Sequence, residues 1–350
     1  LIFSFATLAL AVVACQPNSD KITPTQEAVS VDMSDFYVYT DQSSAKTTKT
    51  DVERCVSMKV LNRELKENPG LEKRMFNIEK HTRTFIAAKK PSGNPGGGGN
   101  SGGGGTTPTP YTGTITIPVV VNILEDPAHP VTQANIDSQI AILNADYNNN
   151  NPNTSSVPSE FSSLVANANI TFTLAAVNRK ASVKTTWGTS DAMKDSSQGG
   201  WDATDPAHNL NLWVCEIGGG ILGYAQFPGG NASTDGVVIG SDFLGENPAG
   251  GQYGHGRTAT HEIGHWLNLR HIWGDGRYRQ DDFVTDTPSS DRANYGCPAY
   301  PTVHCKSNDM TMNYMDYVDD NCMYMFSSGQ NDRMRALFAS GGARESFVLP

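Results

Sequence analysis

Residues 261–271 read His-Glu-Ile-Gly-His-Trp-Leu-Asn-Leu-Arg-His. On a helix, His261 and His265 project from one face, one turn apart. Two such imidazoles can share a Zn²⁺, whose bonds to nitrogen are about 2.0–2.1 Å. Glu262 lies beside that site and is placed to take a proton from water. His271 comes six residues after His265, so a straight helix would carry it away. The chain must therefore turn after Leu267, and Asn268 stands where left-handed backbone is needed, which Asn tolerates better than most residues. Three imidazoles leave a fourth position open, the arrangement of a catalytic zinc rather than a closed structural one. The alternative, three solvent histidines at a helix end, does not account for the third spacing.

Working outward, Thr258 to Asn268 is helical in character. Upstream, Ile115-Thr116-Ile117-Pro118-Val119-Val120-Val121 is a strong β run. A helix pattern follows Pro130, with Ile136, Ile140 and Leu143 on one face. Further strands are expected at Ile170–Leu174, Leu210–Cys215, Ile221–Ala225 and Val237–Ile239. Leu222, Gly223, Tyr224 and Ala225 are expected to form an edge strand. Downstream lies a long Asp-, Pro- and Gly-rich stretch, then a last helix over Gln330–Ala339, ended by Gly341-Gly342. The class is mixed α/β with a loop-heavy C-terminal half.

The chain has 350 residues and a net charge of −10. That charge disfavours nucleic acid or an anionic membrane surface as the main partner, because both select a basic footprint. Nine of the 34 glycines fall in residues 93–105, a run that can be neither helix nor core strand. Residues 51–90 hold ten Lys/Arg and six Asp/Glu; residues 106–350 hold thirteen and twenty-five. A small basic segment is thus tethered to a large acidic domain, and docking of the two is expected. Within 51–90, apolar residues at helical spacing, broken by Pro69-Gly70, predict two short helices. Residues 16–50 read as a tether, with one short strand at Phe36-Tyr37-Val38-Tyr39. The expected division is 1–15 export signal, 16–50 tether, 51–90 helical pro-segment, 91–110 glycine-rich linker and 111–350 catalytic domain.

Residues 1–14 carry no charge and end at Cys15. Fourteen residues are too few for a membrane-spanning helix, which needs about 20, and suit a signal peptide's apolar core. Val12-Val13-Ala14-Cys15 is similar to a bacterial lipobox, which would lipidate Cys15. The expected protein is exported from a bacterium, either secreted or held at the outer membrane by that lipid alone, and monomeric. Export permits disulfides. No CxxC pair exists, which disfavours a zinc ribbon.

Asn313-Tyr314-Met315-Asp316-Tyr317 follows the histidines by some forty residues. HExxHxx(G/N)xxH with a later Met-turn is the metzincin pattern. In detail, HEIGHWLNLRHIWGD, DFVTDTP and MNYMDYVDDNCM resemble the pappalysin (cytophagalysin) family of zinc metallopeptidases. The likeness is good over 111–340 and weaker over 51–90. It implies a twisted mixed sheet, an active-site helix and a loop-rich C-terminal subdomain. It also implies peptide-bond hydrolysis in protein or peptide substrates, with Glu262 assisting attack by zinc-activated water. Met315 would floor the zinc site and Tyr317 would stabilise the oxyanion. Substrate would lie along the edge strand by β-augmentation.

Oxygen donors concentrated at Asp282, Thr285, Asp286 and Thr287 could hold Ca²⁺, as family members do; a capped turn before Pro288 is the alternative. The resemblance implies a Cys297–Cys322 disulfide. It would join Cys305 to a cysteine near Gly276-Arg277-Tyr278, which this chain lacks. Residues 54–84 resemble the family's pro-segments, so Cys55 is expected to occupy the fourth zinc position as a zymogen switch. Arg54, beside it, is expected to favour the thiolate. Cleavage is expected between Lys80 and the glycine run. Asp319 and Asp320 lie where some members select a basic residue after the scissile bond. Two rival readings are a zinc-stabilised surface binding lipoprotein without catalysis, and a zinc hydrolase acting on something other than peptides.

Overall fold

Ile115–Glu125 (β2) carries the fold: Ile115, Ile117, Val119, Val121 and Ile123 alternate into the core at full burial. The computed structural model describes residues 30–40, 53–89, 107–275 and 280–349. Its main sheet has six strands in the order β1-β5-β6-β4-β2-β3. These are Glu53–Cys55 (β1), β2, Ile170–Ala181 (β3), Leu210–Cys215 (β4), Ile221–Ala225 (β5) and Val237–Gly240 (β6). All neighbouring pairs are parallel except β5 with β6. Pro118 is tolerated in this central strand because pairing with β4 begins only at Val119, leaving one flank of Pro118 outside that ladder. All six residues of β4 are buried, as a parallel strand covered on both faces requires.

One face of the sheet packs on Gln133–Tyr147 (α3) and Arg257–Trp266 (α4) through Ile136, Leu143, Tyr147, Ala259, Ile263 and Trp266. On the other face, Trp213, Cys215, Tyr224 and Val238 meet Val56, Val60, Trp187 and Met193. Among the described residues from His271 to Phe326, regular structure shrinks to a two-stranded hairpin, Val303–His304 (β7) with Ser307–Asn308 (β8), and a turn of 3-10 helix. The last helix is Ser328–Ala336 (α5), two residues earlier than its sequence pattern, because Ser327 and Gln330 form a capping box.

Residues 53–89 are docked on the large domain. Ser57–Glu67 (α1) and Leu71–Lys89 (α2) flank Gly70, whose φ of +86° makes the turn. At 19 residues α2 is longer than the spacing suggested, since its burial is set by the domain beneath it. Glu79 of α2 makes a two-pronged ion pair with Arg333 of α5, at 3.0 and 2.7 Å. Arg63 pairs with Asp191, and Lys89 with Asp332.

Two expectations need correction. Phe36–Tyr39 forms no strand; it is an irregular strap whose Val38 is buried with Met58, Leu61 and Phe227. It is packed rather than a loose tether because its aromatic groups find a surface made by distant residues. Leu222–Ala225 is not an edge in this chain, because β1 pairs on its outer side, Cys55 opposite Gly223. The proposed leader with Cys15, the glycine run and Gly276-Arg277-Tyr278 lie outside the described residues. No helix among those described is long and apolar enough to cross a membrane.

Candidate active site

The sequence folds α4 by closing it sharply. Leu269 N–H bonds the Gly264 carbonyl at 2.9 Å and Asn268 N–H bonds that of His265 at 2.9 Å, the paired bonds of a Schellman motif. Asn268 takes the left-handed conformation, φ +69°. This turn brings His271 back beside His261 and His265.

The three rings converge. His271 Nε2 lies 3.1 Å from both His261 Nε2 and His265 Nε2. Two nitrogens sharing a tetrahedral zinc at about 2.0–2.1 Å would lie about 3.3 Å apart. Every Nδ1 has an oxygen partner: the Tyr314 carbonyl at 2.7 Å for His261, the Leu269 carbonyl at 2.8 Å for His265, and the Asp275 carboxylate for His271. Each Nδ1 therefore keeps its proton and each Nε2 presents a lone pair, the tautomer a ligating histidine requires. Burial and then neighbouring imidazoles push His261 and His265 well below their ordinary pKa, so both rings are neutral. Three buried lone pairs pointing together call for a cation, and the donor set fits zinc.

Cys55 faces the same point. Its Sγ and the three Nε2 atoms all lie within 4.8 Å of one another. Glu262 is fully buried beside it, and Oε2 accepts from Ser57 Oγ at 2.7 Å and from the Cys55 thiol at 3.3 Å, while Oε1 has no partner. Burial raises the Glu262 carboxyl from 4.5 to about 8. The expected help from Arg54 to the thiol does not materialise: burial and then Glu262 push Cys55 upward. Arg54 turns away instead, giving Nη2 to Asp320 Oδ1 at 2.8 Å and Nη1 to the Val318 carbonyl. The other Asp320 oxygen accepts from His255 N–H at 3.0 Å and Arg257 N–H at 3.1 Å.

Tyr317 lies against the histidines, 4.8 Å between its ring centre and that of His271, and its hydroxyl donates to the Cys55 carbonyl at 3.2 Å. Met315 is buried beneath α4; a Cβ added to Gly264 would come within 2.5 Å of its sulfur. Gly223 is equally constrained, since a Cβ there would lie 2.9 Å from the Val238 carbonyl and 3.1 Å from Glu262 Cγ.

The Asp282 loop is bonded internally. Both Asp282 oxygens accept from Thr287 Oγ1, at 3.0 and 2.9 Å, and Oδ1 also from Val284 N–H at 3.0 Å. Asp286 accepts from Ser327 Oγ at 2.6 Å and Gly329 N–H at 2.8 Å, tying the loop to α5. Thr285 is exposed. These are the bonds of a capped turn. Cys297 and Cys322 form a disulfide, and Cys305 is free and exposed.

Sequence reasoning missed Ser57 and Asp275. Asp275 falls four residues after His271, a spacing that could have flagged an orienting partner; nothing marked Ser57. Also missed was Asp146, which joins Thr260 at 2.7 Å and Tyr314 at 2.8 Å and so fixes α4 to the Met-turn.

The profile of the family described as pregnancy-associated plasma protein-A matches residues 188–339. An extracellular metalloprotease of Pyricularia oryzae is 34% identical over 222 residues, 60% of this chain and 68% of its own. A solved structure of mirolysin in complex with a compound is 42% identical with a TM-score of 0.65, covering 67% of this chain and 96% of that one. A point mutant of Tannerella forsythia promirolysin is 34% identical with a TM-score of 0.70, covering 84% of this chain and 97% of that one.

Proposed function

The chain belongs to the pregnancy-associated plasma protein-A (pappalysin) family of zinc metalloendopeptidases, and from that premise we propose that it is an exported, latent endopeptidase acting through Glu262 and Tyr317. His261, His265 and His271 would hold the zinc. Bound there, zinc supplies Lewis-acid polarisation of a peptide carbonyl and lowers the pKa of water.

The chain's own groups do the rest. Glu262 takes the proton of the attacking water and returns it to the leaving amine. Tyr317 gives its hydroxyl proton as a hydrogen bond to the developing oxyanion. The Nδ1 acceptors orient the imidazoles and direct Nε2 toward the metal position. β5 binds an extended substrate backbone once β1 has left its outer side.

Latency would come from residues 53–57. β1 covers β5, Cys55 takes the place of the water, and Ser57 and Cys55 together occupy Glu262. Arg54 in the Asp320 seat supports a basic residue after the scissile bond. The names of the fungal relatives support export, and lipidation of Cys15 is proposed with it. Calcium at Asp282, Thr285 and Thr287 is a proposal with weaker support, since the Asp282 oxygens already have partners.

The observation that carries the reading is the convergence of three buried Nε2 atoms beside Glu262 and Cys55. The test compares casein cleavage by the proteolytically activated chain and by its Glu262→Ala variant. A loss of roughly 10²–10⁴-fold is expected of a missing general base; equal cleavage by both would remove the assignment.

A further inference from the structure

The strap at residues 33–40 holds a side-chain seat away from the zinc ligands. The Tyr37 ring lies over the Arg270 guanidinium, 4.3 Å from its carbon to the ring centre, and 5.1 Å from the Phe283 ring. The Tyr37 hydroxyl reaches two main-chain carbonyls, that of Asp281 at 2.8 Å and that of Gly274. Arg270 Nη2 also donates to the Tyr37 carbonyl at 2.7 Å, so ring, hydroxyl and backbone are all read. Arg270 is buried, yet its Nη1 has no hydrogen-bond partner.

The catalytic domain builds this seat at some cost. Phe283 takes φ +65°, unusual for a bulky residue. Such strain persists where surrounding structure enforces it, and often marks ligand clamps. Among the described residues, the aromatic partners of Phe283 both come from the strap: Phe36 at 6.2 Å and Tyr37 at 5.1 Å. The seat is also close to the catalytic cleft. Gly274 is three residues past His271, and Val38 packs with Phe227, whose ring centre is 5.2 Å from that of His265.

We propose that Arg270, Gly274, Asp281 and Phe283 form a tyrosine-binding subsite, closed by Tyr37 in the latent chain and opened on activation to a tyrosine-bearing stretch of extended substrate. The chemistry sets the selectivity. A phenylalanine would fill the aromatic slot but remove the one hydroxyl proton that the two carbonyls share, and sites built for a hydroxyl reject analogues that lack it. A phosphotyrosine would set an anion against two carbonyl oxygens.

The inference rests on residues 30–89 being a removable pro-segment, and the experiment separates the two claims. The probe is a fluorescent peptide of Met33–Thr40 and its Tyr37→Phe version, measured by anisotropy against the full chain before and after proteolytic activation. Binding is expected only after activation, at least tenfold weaker for the Phe version, and unchanged by a saturating zinc-directed hydroxamate. Equal binding of both peptides, or displacement by hydroxamate, would overturn the subsite. A chain that gains no caseinolysis on cutting would overturn the zymogen reading and the subsite with it; a chain that activates but binds no peptide would overturn the subsite alone. Phe283→Ala in the activated chain should lose peptide binding. Should that variant not fold, Tyr37→Phe in the uncut chain decides. It is expected to let the wild-type peptide compete for the seat, and no gain in peptide binding would count against the proposal.

Discussion

Gly264 shows how much one missing methyl group sets. It sits in α4 between the first two histidines, and its bare backbone lies on the sulfur of buried Met315. Gly264→Ala would force Met315 to move in a full core, at about 1–3 kcal/mol for such overpacking. The expected outcome is a lower melting temperature, and lower activity in the activated chain from displaced histidines. An unchanged melting curve would show that the Met-turn yields freely. At this scale the sequence was highly legible. His261, His265 and Glu262 are fixed relative to each other by one helical turn, and Asn268 announces the bend by its own backbone preference. Ser57 was silent, because its partner Glu262 lies 205 residues away and a serine carries no pattern.

At the scale of elements, the docking of α1 and α2 sets a pH dependence. Burial works to raise the Glu79 carboxyl, yet Arg333 and Arg83 pull it from 4.5 down to about 2. A carboxyl depressed in the docked state favours docking above its free value, and that contribution is lost as pH falls toward 2. Glu64 of α1 behaves oppositely. Burial raises it from 4.5 to about 7, with Lys194 and Arg63 pulling down and Asp191 and Asp235 pushing up. Its docked form holds a proton that the free form has lost, so its contribution to docking is full below 4.5 and is lost as pH rises through 7. Residual caseinolysis of the uncut chain is therefore expected to be lower at pH 5 than at pH 8. Glu64→Gln should flatten that difference; a variant with the wild-type slope would show that Glu64 is not its source. Arg333→Met should leave Glu79 buried with Arg83 alone beside it, and the uncut chain should leak activity by tenfold or more, read as the ratio of rates before and after activation.

Elements were legible where their pattern is local. β2, α3 and α4 follow their own apolar periodicity and fall within a few residues of expectation. The strap and the rank of β5 in the sheet do not. Phe36 and Tyr37 look like tether residues until Arg270 and Phe283 are brought under them from more than two hundred positions away. β5 reads as an edge from its own residues, and only β1 decides otherwise.

For the whole molecule, the three clustered histidines are also a structural burden. The three imidazoles are buried and two are held neutral by burial, so emptying the site leaves lone pairs facing one another in the interior. A ligand that binds only the folded chain stabilises it by about 4 kcal/mol at a thousandfold excess over its dissociation constant. Removing metal with a chelator should lower the melting temperature by several degrees, and added zinc should restore it. An indifferent melting curve would argue that the histidines do not hold a metal. The acidic domain and the basic segment before it were legible as a charge contrast, but which charges meet was not, because Arg54–Asp320 and Glu79–Arg333 are set by the fold.

The contrast between two sulfurs gives the molecule a built-in indicator. Cys305 is exposed at the tip between β7 and β8, whereas Cys55 is buried under the docked segment. A small thiol reagent should modify Cys305 at once and leave Cys55 untouched for as long as residues 53–89 stay docked. When the segment loosens, the second sulfur should begin to react, before any linker is cut and with no substrate present. The rate of that slower reaction would measure how often residues 53–89 lift off the domain.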